Sequence, residues 1–234
     1  MEATIRRNPF ECLQVLLSPF ATVASLKEKP RHFVAVLIAS AYATLLSSWI
    51  VQRVGLENIL RNTMQASGSV DADTMLANAM QYKTQILWTQ ALSTFVGTLT
   101  TAYFVGVVLW LIVTIAGEDV RLKTVNAVVA HSALFYAVVK YTMFAISVGL
   151  SRNPAAINIK NPLATNGAFF LQTGSYLLQH VIRSFDAIVL AAVVLLIVGL
   201  RSVSRKLSPV TASLIVLVPW LAYVIVGGLL SSPS

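Results

Sequence analysis

Charged residues are missing from long stretches of this chain, and those gaps set its solvent. Phe33 to Val51 runs nineteen residues without a charge, and Thr84 to Gly117 runs thirty-four. Thr124 to Ser151 is broken only by Lys140. A fourth stretch ends in Ala187 to Leu200, and a fifth is uncharged from Leu207 to Ser234. A bilayer core takes about 20 apolar helical residues per crossing. Lipid offers backbone groups no partner, so each crossing must satisfy its own hydrogen bonds as a helix. The pattern therefore predicts an all-α integral membrane protein with five transmembrane helices, at about 33–51, 88–116, 124–149, 178–200 and 209–230. Residues 1–32 form an amphipathic N-terminal segment, and residues 33–234 form the five-span domain.

The segments outside the spans have patterns of their own. Asn8 and Pro9 read as the cap and first residue of a short helix, with Glu11 reaching back to the cap. Ser18 and Pro19 repeat that signal for a second helix through Lys27. Phe10, Leu13, Leu17 and Phe20 are expected to face the membrane, with the basic residues at the headgroups; packing beneath the bundle is compatible with this. Pro9, Pro19 and Glu11 interrupt the first apolar run, so the segment reads as retained rather than as a cleaved leader. Between Gln52 and Lys83, Leu56, Ile59, Leu60 and Met64 recur at helical spacing. Ser67, Gly68 and Ser69 break the pattern, and Asp71 or Asp73 can cap a second helix, so a helical hairpin is expected here. The stretch from Arg152 to Gly174, with Asn153, Pro154, Asn161, Pro162 and Gly167, reads as irregular.

Composition changes this picture little. The chain is 234 residues, 56% hydrophobic and 11% charged, which leaves no room for an ordinary soluble domain beside five spans. Its net charge of +8 would suggest nucleic acid in a soluble protein. No loop pairs a basic cluster with interleaved aromatics, however, and cytoplasmic loops of membrane proteins collect Lys and Arg. Ten basic residues fall on one side: Arg6, Arg7, Lys27, Lys29, Arg31, Arg121, Lys123, Arg201, Arg205 and Lys206. Five fall on the other: Arg53, Arg61, Lys83, Arg152 and Lys160. The bias predicts a cytoplasmic N-terminus and, after five crossings, an external C-terminus.

The candidate chemistry is intramembrane charge. Lys140 lies inside the third span and Asp186 inside the fourth, with Arg183 one turn before it. Such residues pair or face an aqueous cavity. From Thr124 to Lys140 is ~24 Å of helix, and from Leu200 back to Asp186 is ~21 Å. The two therefore lie at similar depth on antiparallel neighbours. They are expected to form an ion pair, with Arg183 competing for the carboxylate, and exchanging the two charges is expected to rescue the single changes. The pair reads as a structural staple or as a coupling site. His131 and His180 are minor polar candidates, separated in depth and without thiol or carboxylate neighbours to suggest a metal. Pro219 is expected to kink the fifth span, and Gly227 and Gly228 to loosen its end. Ser93, Gly97 and Thr98 in the second span are small enough for helix contacts, including contacts between copies.

Enzymatic motifs are missing. There is no His-Glu-x-x-His, no Gly-x-Ser-x-Gly and no Walker-type glycine loop. One span carboxylate cannot make an acid dyad. The reading is of a non-enzyme without a cofactor, and with no nucleic-acid partner.

Leu16-Leu17-Ser18-Pro19-Phe20 through Ser25-Leu26-Lys27-Glu28-Lys29-Pro30, leading into the first span, resembles the opening of bacterial Yip-family (Ypt/Rab-interacting) membrane proteins. Ser184-Phe185-Asp186-Ala187-Ile188-Val189, running to Val198-Gly199-Leu200, resembles that family's fourth span, and Pro219-Trp220 its last. The resemblance implies five spans, a cytoplasmic N-terminus and the bacterial plasma (inner) membrane. It also implies an accessory role beside other membrane proteins, an ABC-type exporter among them. The longer polar N-terminal region of eukaryotic members is missing, so a Rab-binding role is not expected. The resulting expectation is a scaffold acting through membrane-protein or lipid contacts, including homo-oligomers. The alternative is a small transporter or channel subunit with a polar path at Lys140 and Asp186.

Overall fold

A computed structural model describes residues 9–28, 30–66, 71–157, 162–171, 175–204 and 206–230. The described residues are helical apart from turns and short loops, and the protein is a multi-pass membrane protein. Among the described residues four helices are long and apolar enough to cross a bilayer: α3 (Phe33–Val54), α6 (Lys83–Ile115), α7 (Leu122–Leu150) and α10 (Pro209–Leu230). A bent pair, fourth in chain order, α8 (Tyr176–Ser184) and α9 (Ala187–Val203) with 60° between the two pieces, is together apolar and long enough to make the count five. This corrects the expectation of a continuous helix over about 178–200.

Helix α7 is central, packing against α3, α6 and α9, while α10 lies against α8 and α9. Its inward residues Val125, Val128, Leu134 and Ala137 are buried. Outward residues such as Leu45, Trp88, Leu92, Phe104, Ile146, Leu214 and Leu229 stay exposed. In water, so broad an apolar surface would aggregate; in lipid it is matched to its solvent. Helix contact in lipid depends on close approach rather than on the hydrophobic effect. Gly106 provides it between α6 and α7, where an added Cβ would collide with the Asn126 side chain. Tyr42 and Thr142 tie α3 to α7 through a 2.6 Å hydroxyl hydrogen bond. In α6, Gly97 has open space where its side chain would be, with Ser93 exposed and Thr98 half-buried, so this small-residue face is directed away from the bundle.

The N-terminal segment is a 3-10 turn (Pro9–Leu13) followed by α1 (Gln14–Leu17) and α2 (Pro19–Ser25). It both packs and faces outward. Cys12, Val15, Val23 and Leu26 join the same core as α3, α7 and α9, while Leu17 and Phe20 remain exposed. Residues 1–32 are therefore continuous with the bundle in packing. Asn8 lies outside the described residues. Glu11 forms an ion pair with Arg31 at 2.8 Å, which fastens the segment to the start of α3. Ser18 stands at the N-cap of α2 without a capping side-chain bond; Thr22 donates to its carbonyl at 2.9 Å instead.

At the same end, the α6–α7 and α9–α10 turns meet where the Ser204 hydroxyl donates to Glu118. At the other end, α4 (Leu56–Ala66) and α5 (Ala72–Gln81) make the expected hairpin. Gly55, at φ 92°, makes the turn from α3 into α4. Asp71 holds the N-cap position of α5 without a capping bond, and Asp73 pairs with Arg61 at 3.5 Å.

Candidate functional site

The break in the fourth crossing builds the site. Asp is a poor interior helix residue and a strong N-cap, because its carboxylate competes for backbone N–H groups. Asp186 is the N-cap of α9, not an interior residue. Its Oδ1 accepts from the N–H of Ile188 at 2.8 Å and of Val189 at 3.4 Å. Its Oδ2 accepts from the Thr165 hydroxyl and from Asn166 Nδ2, the latter at 3.4 Å. The Ala187 N–H donates to the Thr165 carbonyl at 2.9 Å. A loop some twenty residues upstream is thus drawn into the bend. The Phe185 and Trp220 rings meet edge to face at 5.2 Å, seating α10 against the same bend.

Lys140 faces this place from α7. One contact fixes the relative depth of the two helices: Gly199 of α9 lies against Val128 of α7. Twelve residues along each antiparallel helix, Lys140 is level with Ala187, beside Asp186. Shared depth was legible in the sequence, but direct pairing is corrected. Among the described residues no ion pair joins Lys140, or Arg183, to Asp186. Lys140 Nζ donates to Tyr136 Oη at 2.6 Å. The carboxylate is already occupied by four shorter-range donors, and the lysine is anchored one turn back on its own helix. A cavity of about 180 Å³ holds the groups together, lined by Tyr136, Lys140, Leu163, Asn166, Arg183 and Asp186.

Arg183 lies 3.4 Å from His180 Nδ1, which accepts. His180 Nε2 is buried without a hydrogen-bond partner, against Gly227 of α10. A Cβ at Gly228 would stand 2.5 Å from Leu177 Cδ1. These glycines seat α8 on α10; they do not loosen its end, and α10 stays helical through Leu230. Helix α10 also runs through Pro219 as one element.

His131 belongs elsewhere. Buried in α7, it bonds through Nδ1 to the Ala127 carbonyl at 2.8 Å. It lines a second, smaller cavity of about 60 Å³ under the N-terminal segment, with Glu11, Cys12, Thr22 and Arg31. Burial pushes the Cys12 thiol above its ordinary range. At the start of α3, His32 meets Tyr103 edge to face, and burial, reinforced by Lys123, lowers its pKa. Among the described residues no three His, Cys, Asp or Glu side chains are grouped to hold a metal.

Sequence reasoning missed Tyr136, Thr165 and Asn166. Tyr136 was findable, since i and i+4 share a helix face. Nothing local marks Thr165 or Asn166, which reach Asp186 only through the tertiary fold. No family model, curated protein or solved structure matches the chain.

Proposed function

We propose that this protein is a non-enzymatic membrane scaffold or accessory subunit of the Yip type, acting through contacts with other membrane proteins. In this reading its N-terminus lies in the cytoplasm of a bacterial cell and its bundle in the plasma membrane, beside a partner such as an ABC-type exporter. One observation carries the choice over a transporter or channel. The two polar cavities are separated by apolar packing: on α7, beyond the buried Ser132 next to His131, the buried residues before Lys140 are Leu134 and Ala137. Val193 of α9 lies level with Leu134 and is also buried. A conducting path would need polar groups or water at this level. The grouping of Lys27, Arg31, Arg121, Lys123, Arg201 and Lys206 around one end of the bundle supports the orientation.

Photocrosslinking from the exposed face of α6 in native membranes, followed by co-purification in mild detergent, tests the reading. A stoichiometric membrane-protein partner is expected, and a chain that always isolates alone would overturn it. Proteoliposome flux that is lost in Asp186→Asn would favour the transporter instead.

A further inference from the structure

The cavity at the broken crossing has an excess of cationic donors. Among the described residues its lining carries two cations, Lys140 and Arg183, and one carboxylate, Asp186. That carboxylate is engaged by Thr165, Asn166 and two backbone N–H groups. Neither cation is joined to it among the described residues. Lys140 uses one of its three donors, on the Tyr136 hydroxyl, and Arg183 is directed at His180 Nδ1. Because the Tyr136 oxygen accepts from Lys140, its own proton is directed away from Lys140 and can be donated. A half-buried ammonium whose hydrogen bond goes to a phenol keeps two donors to offer inside the membrane, beside an Asp186 carboxylate that is already hydrogen-bonded. The arrangement is of two cations facing one carboxylate that already accepts four hydrogen bonds.

From this we infer that the cavity binds a phosphate group, held by Lys140, Arg183 and the Tyr136 hydroxyl. Charge-assisted bonds to a tetrahedral oxyanion satisfy a lysine point charge and an arginine fork together. Asp186 then has a structural part: it holds the loop carrying Thr165 and Asn166 as one wall. At about 180 Å³ the space suits a headgroup-sized anion. It falls short of the roughly 300–1,000 Å³ clefts that take drug-sized ligands. The phosphate has two sources, an anionic phospholipid headgroup or soluble phosphate from the compartment facing that end. This site goes beyond the scaffold reading and does not depend on any partner protein, so the two experiments fail independently.

The test uses the full chain purified in detergent. Phosphatidylglycerol and a phosphate-free glycolipid are titrated by native mass spectrometry, and inorganic phosphate is titrated by thermal shift. Binding of phosphatidylglycerol or of inorganic phosphate, with the glycolipid inert, supports the site, and the probe that binds identifies the source. Lys140→Met and Arg183→Gln should each weaken binding roughly 10- to 100-fold, the range for a lost bond to a charged group. Lys140→Arg should keep binding within a few-fold. Each variant is first checked for monodispersity and helical content. Where Lys140→Met does not fold, Arg183→Gln and Tyr136→Phe carry the test. If neither phosphate probe binds, if the glycolipid binds equally, or if folded variants bind like wild type, the inference is overturned.

Discussion

Gly199 of α9 and Val128 of α7 touch so closely that a Cβ on the glycine would stand 2.4 Å from Val128 Cγ1. This contact sets the register that brings Lys140 level with Asp186. Gly199→Ala gains about 1 kcal/mol of helix propensity. Overpacking against a β-branched neighbour on a rigid helix loses about 1–3 kcal/mol. The net effect expected is destabilisation, read as a lower thermal midpoint in detergent. Val128→Ala removes the clashing methyl, so the double variant should be more stable than the two single effects sum to. Strict additivity would show that the helices do not meet here.

Asp186 is held by donors, and this decides a charge exchange with Lys140. A lysine at 186 cannot accept from Thr165, Asn166 or the α9 N–H groups. Lys140→Asp with Asp186→Lys should therefore fail to restore expression. Asp186→Asn keeps a capping oxygen and should be far milder than Asp186→Ala, which should lose about 0.5–2 kcal/mol from the cap alone. Comparing the folded yield and melting of the four proteins checks the order. Full rescue by the exchanged pair would restore direct pairing as the explanation.

Much of this architecture was written in the spacing of charges. Lipid tolerates few ionised groups, so the uncharged runs delimit α3, α6, α7 and α10 almost by themselves. Helical spacing of Leu56, Ile59, Leu60 and Met64 likewise marks α4. The broken crossing was hidden because an apolar run satisfies lipid whether or not the helix bends within it. Asp186 carried the signal, a strong capping residue opening an uncharged run, but its depth invited an ion pair instead. Thr165 and Asn166 reach it from a loop whose sequence shows only turn residues. Gly227 and Gly228 suggested looseness, whereas the fold uses their missing side chains to admit Leu177 and His180.

The lone cysteine reports on the seating of the N-terminal segment. Cys12 is buried, and burial holds its thiol in the unreactive protonated form. In the folded protein a maleimide at neutral pH should label it slowly, and the rate should rise sharply as heating releases the segment. Glu11→Ala breaks the 2.8 Å pair with Arg31 and should speed labelling before the bundle melts. Fast labelling of native wild type would mean that the segment does not pack on the core.

His32 gives the same end of the bundle a dependence on acid. Its imidazole lies between Tyr103 and the start of α3, with Nδ1 buried and unbonded. Burial and Lys123 both disfavour its protonated form, so its pKa in the folded protein is below the ordinary 6.5. Above that value the ring is neutral in folded and unfolded chains alike and contributes no pH dependence. As pH falls through about 6.5, the unfolded chain takes up a proton that the folded one resists, and stability declines. The wild-type thermal midpoint should therefore drop between about pH 7 and 5 more steeply than that of His32→Gln. The difference between the two curves isolates this histidine from His131 and His180. Parallel curves would mean that the folded protein protonates His32 as readily as water does.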